Sequence, residues 1–268
     1  MTHQPSQPIG VFDSGIGGLT VANAIIKALH QEEIIYFGDT AHLPYCEKSA
    51  DAIRYYSLRI AKFLLERHCK MVVIACNSAS SAAYRVLLEF FKGQGLFVNV
   101  VDPLVEAVAA RRFSKVGVIA TKATIQSGIY EQQLLHLQPN LEVRSLATPL
   151  LAPMIEEGFV HNEVSQVVLE SYLGHEQLDG IEALLLACTH YPLIKPEIEA
   201  FYRHKVEIFD STDVVATEVK RKLSEHGLLN DRRRHAHRFY VSDYTPTFEQ
   251  TTRIFYQEEI HLEHYPMW

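Results

Sequence analysis

The sequence predicts an α/β protein built from two pseudo-symmetric lobes, each a mostly parallel sheet flanked by helices, with the functional site in the cleft between them. Three observations carry that expectation. Short runs rich in Val and Ile alternate with longer stretches whose apolar residues recur at helical spacing, the pattern of strands buried on both faces by helices. The order of those runs then repeats. Finally, the motifs rich in Gly, Cys, Ser and Thr follow strand-like runs directly, at the position where open α/β sheets collect ligands.

The first four strand-like runs are Ile9-Gly10-Val11-Phe12, Ile34-Ile35-Tyr36-Phe37, Met71-Val72-Val73-Ile74 and Val98-Asn99-Val100-Val101. Between the second and third, Ile53, Tyr56, Ile60, Phe63 and Leu64 keep a helical period. The second four are Val116-Gly117-Val118-Ile119, Leu141-Glu142-Val143, Ala183-Leu184-Leu185-Leu186 and Val206-Glu207-Ile208-Phe209. Ile9 and Val116, Cys76 and Cys188, and Asp102 and Asp210 are separated by 107, 112 and 108 residues. Three landmarks at nearly one offset indicate an internal repeat. Beyond about Thr217 neither half is matched: a helical stretch, a basic run from Arg232 to Arg238, a strand-like Arg238-Phe239-Tyr240-Val241-Ser242 and a helix near Thr247 to Tyr256 form a tail. Having no core of its own, this tail is expected to pack on an existing lobe.

Charge and composition narrow the function. A formal net charge of -7 opposes a phosphate backbone, so nucleic-acid binding is not expected; the basic run reads as a solvated loop. The N-terminal Met1-Thr2-His3-Gln4-Pro5 has neither the charge nor the apolar stretch of a secretion signal, and no run is long enough to span a bilayer, so the expected setting is cytoplasmic with no membrane association. Four cysteines in a reducing compartment are then thiols rather than a disulfide framework.

Two of those thiols stand at matched positions, in I-A-C-N-S-A-S around Cys76 and L-A-C-T-H-Y-P around Cys188. A cysteine at the head of a helix has its thiolate favoured by the helix dipole, so its pKa is expected below the free value of about 8.5. One such cysteine alone is more often an inert core residue; a matched pair facing across a cleft suits a reaction that removes a proton from one face of a carbon and returns one to the other. F-D-S-G-I-G-G, from Phe12 to Gly18, is a tight turn with Asp13 and Ser14, and fits neither the dinucleotide fingerprint nor the P-loop. Two other readings stay open: a zinc site using Cys76, Cys188 and His190, although the strong metal spacings are missing, and a Cys188–His190 nucleophile for acyl transfer, which leaves Cys76 unexplained.

Six segments in order, F-D-S-G-I-G-G, Y-F-G-D-T-A-H-L-P-Y, A-C-N-S-A-S, G-V-I-A-T-K-A-T-I, A-P-M-I-E-E-G and A-C-T-H-Y-P, resemble glutamate racemases of the aspartate/glutamate racemase superfamily. The resemblance implies a cofactor-independent enzyme that inverts glutamate, supplies D-glutamate for peptidoglycan, and pairs as a homodimer. It implies that Cys76 takes the α-proton of D-glutamate and Cys188 that of L-glutamate, with Asp13, Glu156 and His190 tuning the thiols. By the same matching Ser14, Pro44, Tyr45, Cys46, Asn77, Ser78, Thr121, Thr124 and Thr189 hold the substrate, together with Asp13 and His190. It further implies a discontinuous first lobe, residues 1–95 with 209–268, around a second lobe of 96–208. Two positions depart from the family pattern. Cys46 stands where glycine is usual, so its side chain is expected to narrow the site or alter a loop that favours positive φ; Ser78 stands where threonine is common. Cys69 reads as structural. A reading from another class, a non-catalytic amino-acid sensor or a regulator of a nucleic-acid enzyme, rests on the basic run alone.

Overall fold

The computed structural model describes residues 3–233 and 235–268; Met1 and Thr2 of the N-terminal segment and Arg234 of the basic run lie outside the described residues. The strand-like runs become β1 (Ile9–Asp13), β2 (Ile34–Gly38), β3 (Met71–Ile74), β4 (Leu96–Asn99), β5 (Lys115–Ala120), β6 (Glu142–Ala147), β7 (Ala183–Ala187) and β8 (Glu207–Asp210), and the tail adds β9 (Arg238–Val241) and β10 (Leu262–His264). One sheet has the order β10-β9-β2-β1-β3-β4 and the other β6-β5-β7-β8. Their pairings are parallel. With the tail strands set aside, β2-β1-β3-β4 superposes in order on β6-β5-β7-β8, so the repeat in the sequence is a repeat of topology.

Alternation along each strand sorts side chains to two buried faces. Ile9 and Val11 of β1, Ile34 and Tyr36 of β2, and Met71 and Val73 of β3 join one apolar cluster, which also takes Leu184 and Leu186 of β7 and Ile119 of β5. Phe12, Ile35, Phe37, Val72 and Ile74 face the opposite way into a second cluster. Val116, Val118, Ala120 and Leu185 face a third. The first cluster is therefore shared by both lobes, and it fixes one sheet against the other through packed side chains rather than through a linker.

The strand pairings correct the lobe boundaries. A division at 95/96 would detach β4, which pairs with β3 from Met71↔Leu96 to Ile74↔Asn99. A return at 209 would split β8, whose Asp210 pairs with Leu186 of β7. By sheet membership the chain crosses after Asn99 and after Asp210. The Asn99 carboxamide oxygen accepts the backbone N–H groups of Val101 and Asp102, at 2.7 and 2.9 Å, so the chain leaves the strand there and Val101 opens the helix Val101–Ala109. Likewise Asp210 accepts the Thr212 N–H at 3.0 Å and starts Ser211–Glu225.

The tail packs as expected on the first lobe. β9 lies beside β2 from Ile35↔Arg238 to Gly38↔Val241, and β10, three residues long, lies beside β9. The basic run is more anchored than a free solvated loop: the Ile34 N–H donates to His237 Nδ1 at 3.1 Å, and Arg238 pairs with Glu33 at 3.4 Å. Burial, helped by Arg233, takes His237 down to about 4, which keeps the imidazole neutral and able to accept. No described helix is long and apolar enough to cross a membrane.

Candidate active site

A cavity of about 150 Å³ opens between the lobes, and each of its walls follows the C-terminal end of a strand. From the first lobe come Ser14 after β1, Leu43 to Glu47 after β2, and Cys76, Asn77 and Ser78 after β3; from the second, Thr121 and Lys122 after β5, Pro149 to Glu156 in part after β6, and Cys188, Thr189 and His190 after β7. The two halves thus contribute equivalent loops, and the two matched cysteines line one cavity from opposite lobes.

The turn after β1 explains its glycines. A Cβ on Gly17 would sit 2.4 Å from His190 Cε1 and 2.7 Å from Thr189 Oγ1, and one on Gly18 would sit 2.4 Å from Asp13 Cβ. Only bare backbone lets this turn touch the loop of the other lobe. The contact is secured by Thr20, whose hydroxyl donates to the Thr189 carbonyl at 2.9 Å. Asp13 itself does not line the cavity. It is buried beneath the turn, with Oδ2 accepting the Gly15 N–H at 3.1 Å and Oδ1 without a hydrogen-bond partner among the described residues. Burial raises its pKa, against the opposing pull of His190 and the backbone N–H groups of Gly18, Gly15 and Ser14.

Cys76 caps the helix Asn77–Phe90, its sulfur accepting the Ala79 N–H at 3.4 Å and lying 3.6 Å from Ser14 Oγ. The helix N-terminus does not lower the thiol pKa as the sequence suggested. Burial, with Asp13 adding like charge, pushes it up to about 12, so Cys76 is held as a neutral thiol. Cys188 differs from the expectation in another way: it is followed by the 3₁₀ turn Tyr191–Ile194, and the α-helix Lys195–Phe201 begins only after that turn. Its neighbour is instead His190, with Nδ1 3.5 Å from the sulfur and Nε2 2.8 Å from Glu156 Oε1. Burial alone would discharge this imidazole, but Cys188 and Glu156 outweigh it and hold the pKa well above the ordinary histidine value.

Around the thiols the polar residues form cross-lobe links. Ser78 Oγ lies 3.2 Å from Thr121 Oγ1 and 3.3 Å from Thr124 Oγ1, and the two threonines are 3.2 Å apart. Thr124, the buried corner of this triangle, is not part of the cavity wall. Tyr130, which sequence reasoning missed, donates from the helix Ile129–Leu137 to Asn77 Oδ1 at 2.5 Å. Pro44 and Tyr45 line the cavity on a loop anchored by Asp39, a fully buried carboxylate. Asp39 accepts from Tyr45 OH at 2.7 Å, Ser242 Oγ at 2.7 Å and Trp268 Nε1 at 2.8 Å, and pairs with His42 Nδ1 at 3.0 Å. Cys46 does line the cavity, but it sits in the 3₁₀ turn Tyr45–Glu47 and not at positive φ, so its side chain is accepted without the backbone strain the glycine comparison suggested. Lys122, Glu47, Leu43, Ala152 and the prolines 149 and 153 were not read as site residues. Cys69, buried against β1, has its thiol pushed up to about 12, chiefly by burial.

Comparison with known proteins agrees over nearly the whole chain. A glutamate racemase of Neisseria meningitidis serogroup C is 42% identical over 240 residues, 88% of each chain. The crystal structure of glutamate racemase from Francisella tularensis in complex with D-glutamate superposes with a TM-score of 0.91 at 38% identity, covering 98% of both chains. That of Thermus thermophilus glutamate racemase with β-chloro-D-alanine gives 0.88 at 39% identity, again over 98% of both. Residues 9–219 match the family described as Asp/Glu/Hydantoin racemase, and to that family this chain belongs.

Proposed function

We propose that the protein is a glutamate racemase that interconverts L- and D-glutamate by a cofactor-independent, two-cysteine proton transfer. The observation that carries this reading is the pair of thiols from topologically equivalent loops, Cys76 after β3 and Cys188 after β7, lining one cavity from opposite lobes. Inversion needs a base on one face of the α-carbon and an acid on the other. Cys76, neutral in its buried setting, is the acid in the L-to-D direction: Cys188 as thiolate takes the α-proton of L-glutamate, and Cys76 delivers its proton to the opposite face. An imidazolium at His190, held by Glu156, complements negative charge on the Cys188 sulfur. In the D-to-L direction the roles exchange, with Cys76 as thiolate and Cys188 as thiol.

The remaining groups suit an amino acid bearing two carboxylates. Ser14, Asn77, Ser78, Thr121 and Thr189 offer hydroxyl and amide donors, and Lys122 and His190 supply positive charge at the cavity. Removing an α-proton with a thiolate is steeply uphill in water. A small cavity whose walls come from two lobes excludes solvent and strengthens each of these interactions as carbanion character develops. The physiological role that follows is supply of D-glutamate for peptidoglycan. Incubation of the purified protein with L-glutamate in heavy water tests the reading: inversion accompanied by α-deuterium uptake supports it, and unchanged L-glutamate with no exchange overturns it.

A further inference from the structure

Asn77 stands at the head of the helix Asn77–Phe90, 3% exposed, and lines the cavity. Its carboxamide can accept through Oδ1 and donate two hydrogens through Nδ2. The acceptor is taken by Tyr130 OH from the other lobe, at 2.5 Å. Nδ2, by contrast, is buried without a partner among the described residues. A buried amide donor left unpaired costs about 1–3 kcal/mol, so such an orphan beside a cavity calls for a ligand that satisfies it.

We infer that Tyr130 is a positioning residue: its hydroxyl locks the Asn77 amide so that Nδ2 alone is offered to a carboxylate oxygen of the substrate. Without that bond the amide is free to turn over and present Oδ1, an acceptor that repels a carboxylate. Tyr130 is well suited to the task. It is 3% exposed, and burial, reinforced by its neighbours Cys188 and Asp102, holds its phenol above the usual value, so it remains a donor throughout the working pH range. It also belongs to the second lobe while Asn77 belongs to the first, so the orientation of the donor is set by the same lobe contact that encloses the cavity.

The inference rests on glutamate being the substrate, and a double-mutant cycle separates the two. KM and kcat are measured in both directions for wild type, Tyr130→Phe, Asn77→Ala and the double variant, with D-glutamate binding followed by calorimetry. Tyr130→Phe is expected to raise KM about tenfold with a much smaller change in kcat, the loss expected for a misaligned hydrogen bond to a charged group. In the Asn77→Ala background the same change is expected to add nothing, because Tyr130 acts through Asn77. A wild-type KM in Tyr130→Phe, or a double variant whose KM exceeds that of Asn77→Ala, overturns the inference while glutamate turnover by the wild type stands. Should Tyr130→Phe fold poorly, the comparison of Asn77→Ala with the double variant decides alone, since the double variant leaves neither partner unpaired. A wild type inert toward glutamate overturns both readings.

Discussion

The two cysteine-bearing turns occupy equivalent places in the repeat, yet they meet different electrostatic surroundings. Cys76 heads a 14-residue α-helix and has Ser14 and buried Asp13 as neighbours; Cys188 heads a 3₁₀ turn of 4 residues and has His190 and Glu156. On the Cys76 side the helix terminus favours negative sulfur, but burial and a nearby carboxylate override it and keep the thiol protonated. On the Cys188 side the α-helix Lys195–Phe201 begins only after a 3₁₀ turn, too far on for the sulfur to cap it, and His190, whose pKa is raised, stands beside that sulfur instead. A repeated backbone therefore sets where the groups sit, while unrepeated neighbours give each sulfur its own surroundings. A reaction that needs one acid and one base at a time is served by that division.

The largest expected effect isolates the two turns. Cys76→Ala and Cys188→Ala should each lower racemisation by about 10⁴-fold, the upper range for a positioned acid or base. If each thiol serves one face, Cys76→Ala will still exchange the α-proton of L-glutamate with heavy water without inverting it, and Cys188→Ala will do so only with D-glutamate. Exchange of the same enantiomer by both variants, followed by proton NMR, would break the assignment of faces.

A smaller effect tests the neighbours. His190→Asn and Asp13→Asn should each cost about 10²-fold in kcat/KM. Because the enantiomers have equal free energy in water, kcat/KM must fall by one factor in both directions, so the contrast between the halves has to be sought in kcat and KM separately. For His190→Asn the larger drop in kcat is expected with L-glutamate, and for Asp13→Asn with D-glutamate; matching kcat changes would mean that the neighbours act on both thiols alike.

How far the site was legible follows from the same contrast. Three landmark pairs at nearly one offset were enough to expect two equivalent strand sets, because parallel strands buried on both faces write their whole length in Val, Ile and Leu. What the neighbours do to a thiol was not legible: the helix-head argument predicted a lowered pKa at Cys76, and burial reversed it. The resemblance implied that Asp13 holds the substrate as well as tuning the thiols, whereas its side chain folds under the glycine turn and does not line the cavity. Tyr130 carried no signal, since it lies on a helix face fifty-three residues from Asn77 and reaches it only across the lobe boundary. Ends of strands were also misjudged, by two residues at β4 and one at β8, where Asn99 and Asp210 accept backbone N–H groups and begin helices.

Contacts shared by the halves should behave differently from either turn. Ser78→Ala removes the hydroxyl that meets Thr121 and Thr124, worth about 1 kcal/mol, and is expected to raise KM roughly fivefold equally for both enantiomers. Steady-state polarimetry from each side checks this, and an enantiomer-specific change would assign the hydroxyl to one half.

The smallest effect is on stability. His190 is charged more readily folded than unfolded, so its ion pair with Glu156 stabilises fully below its ordinary value of 6.5 and is lost as pH rises through the raised folded value. The melting temperature of wild type should exceed that of His190→Asn by about 2–4 °C near pH 6, for about 1 kcal/mol. That gap should close on the alkaline side, and a gap independent of pH would point to packing rather than charge.

Asp39 joins the loop carrying Tyr45 to Trp268, the sole tryptophan in the sequence, whose indole N–H it accepts. The chain therefore contains its own fluorophore, one hydrogen-bonded carboxylate away from the cavity wall. Excitation of the unlabelled protein would report motion of that loop as a change in emission, and titration with either enantiomer would show whether the two substrates draw the loop to the same position.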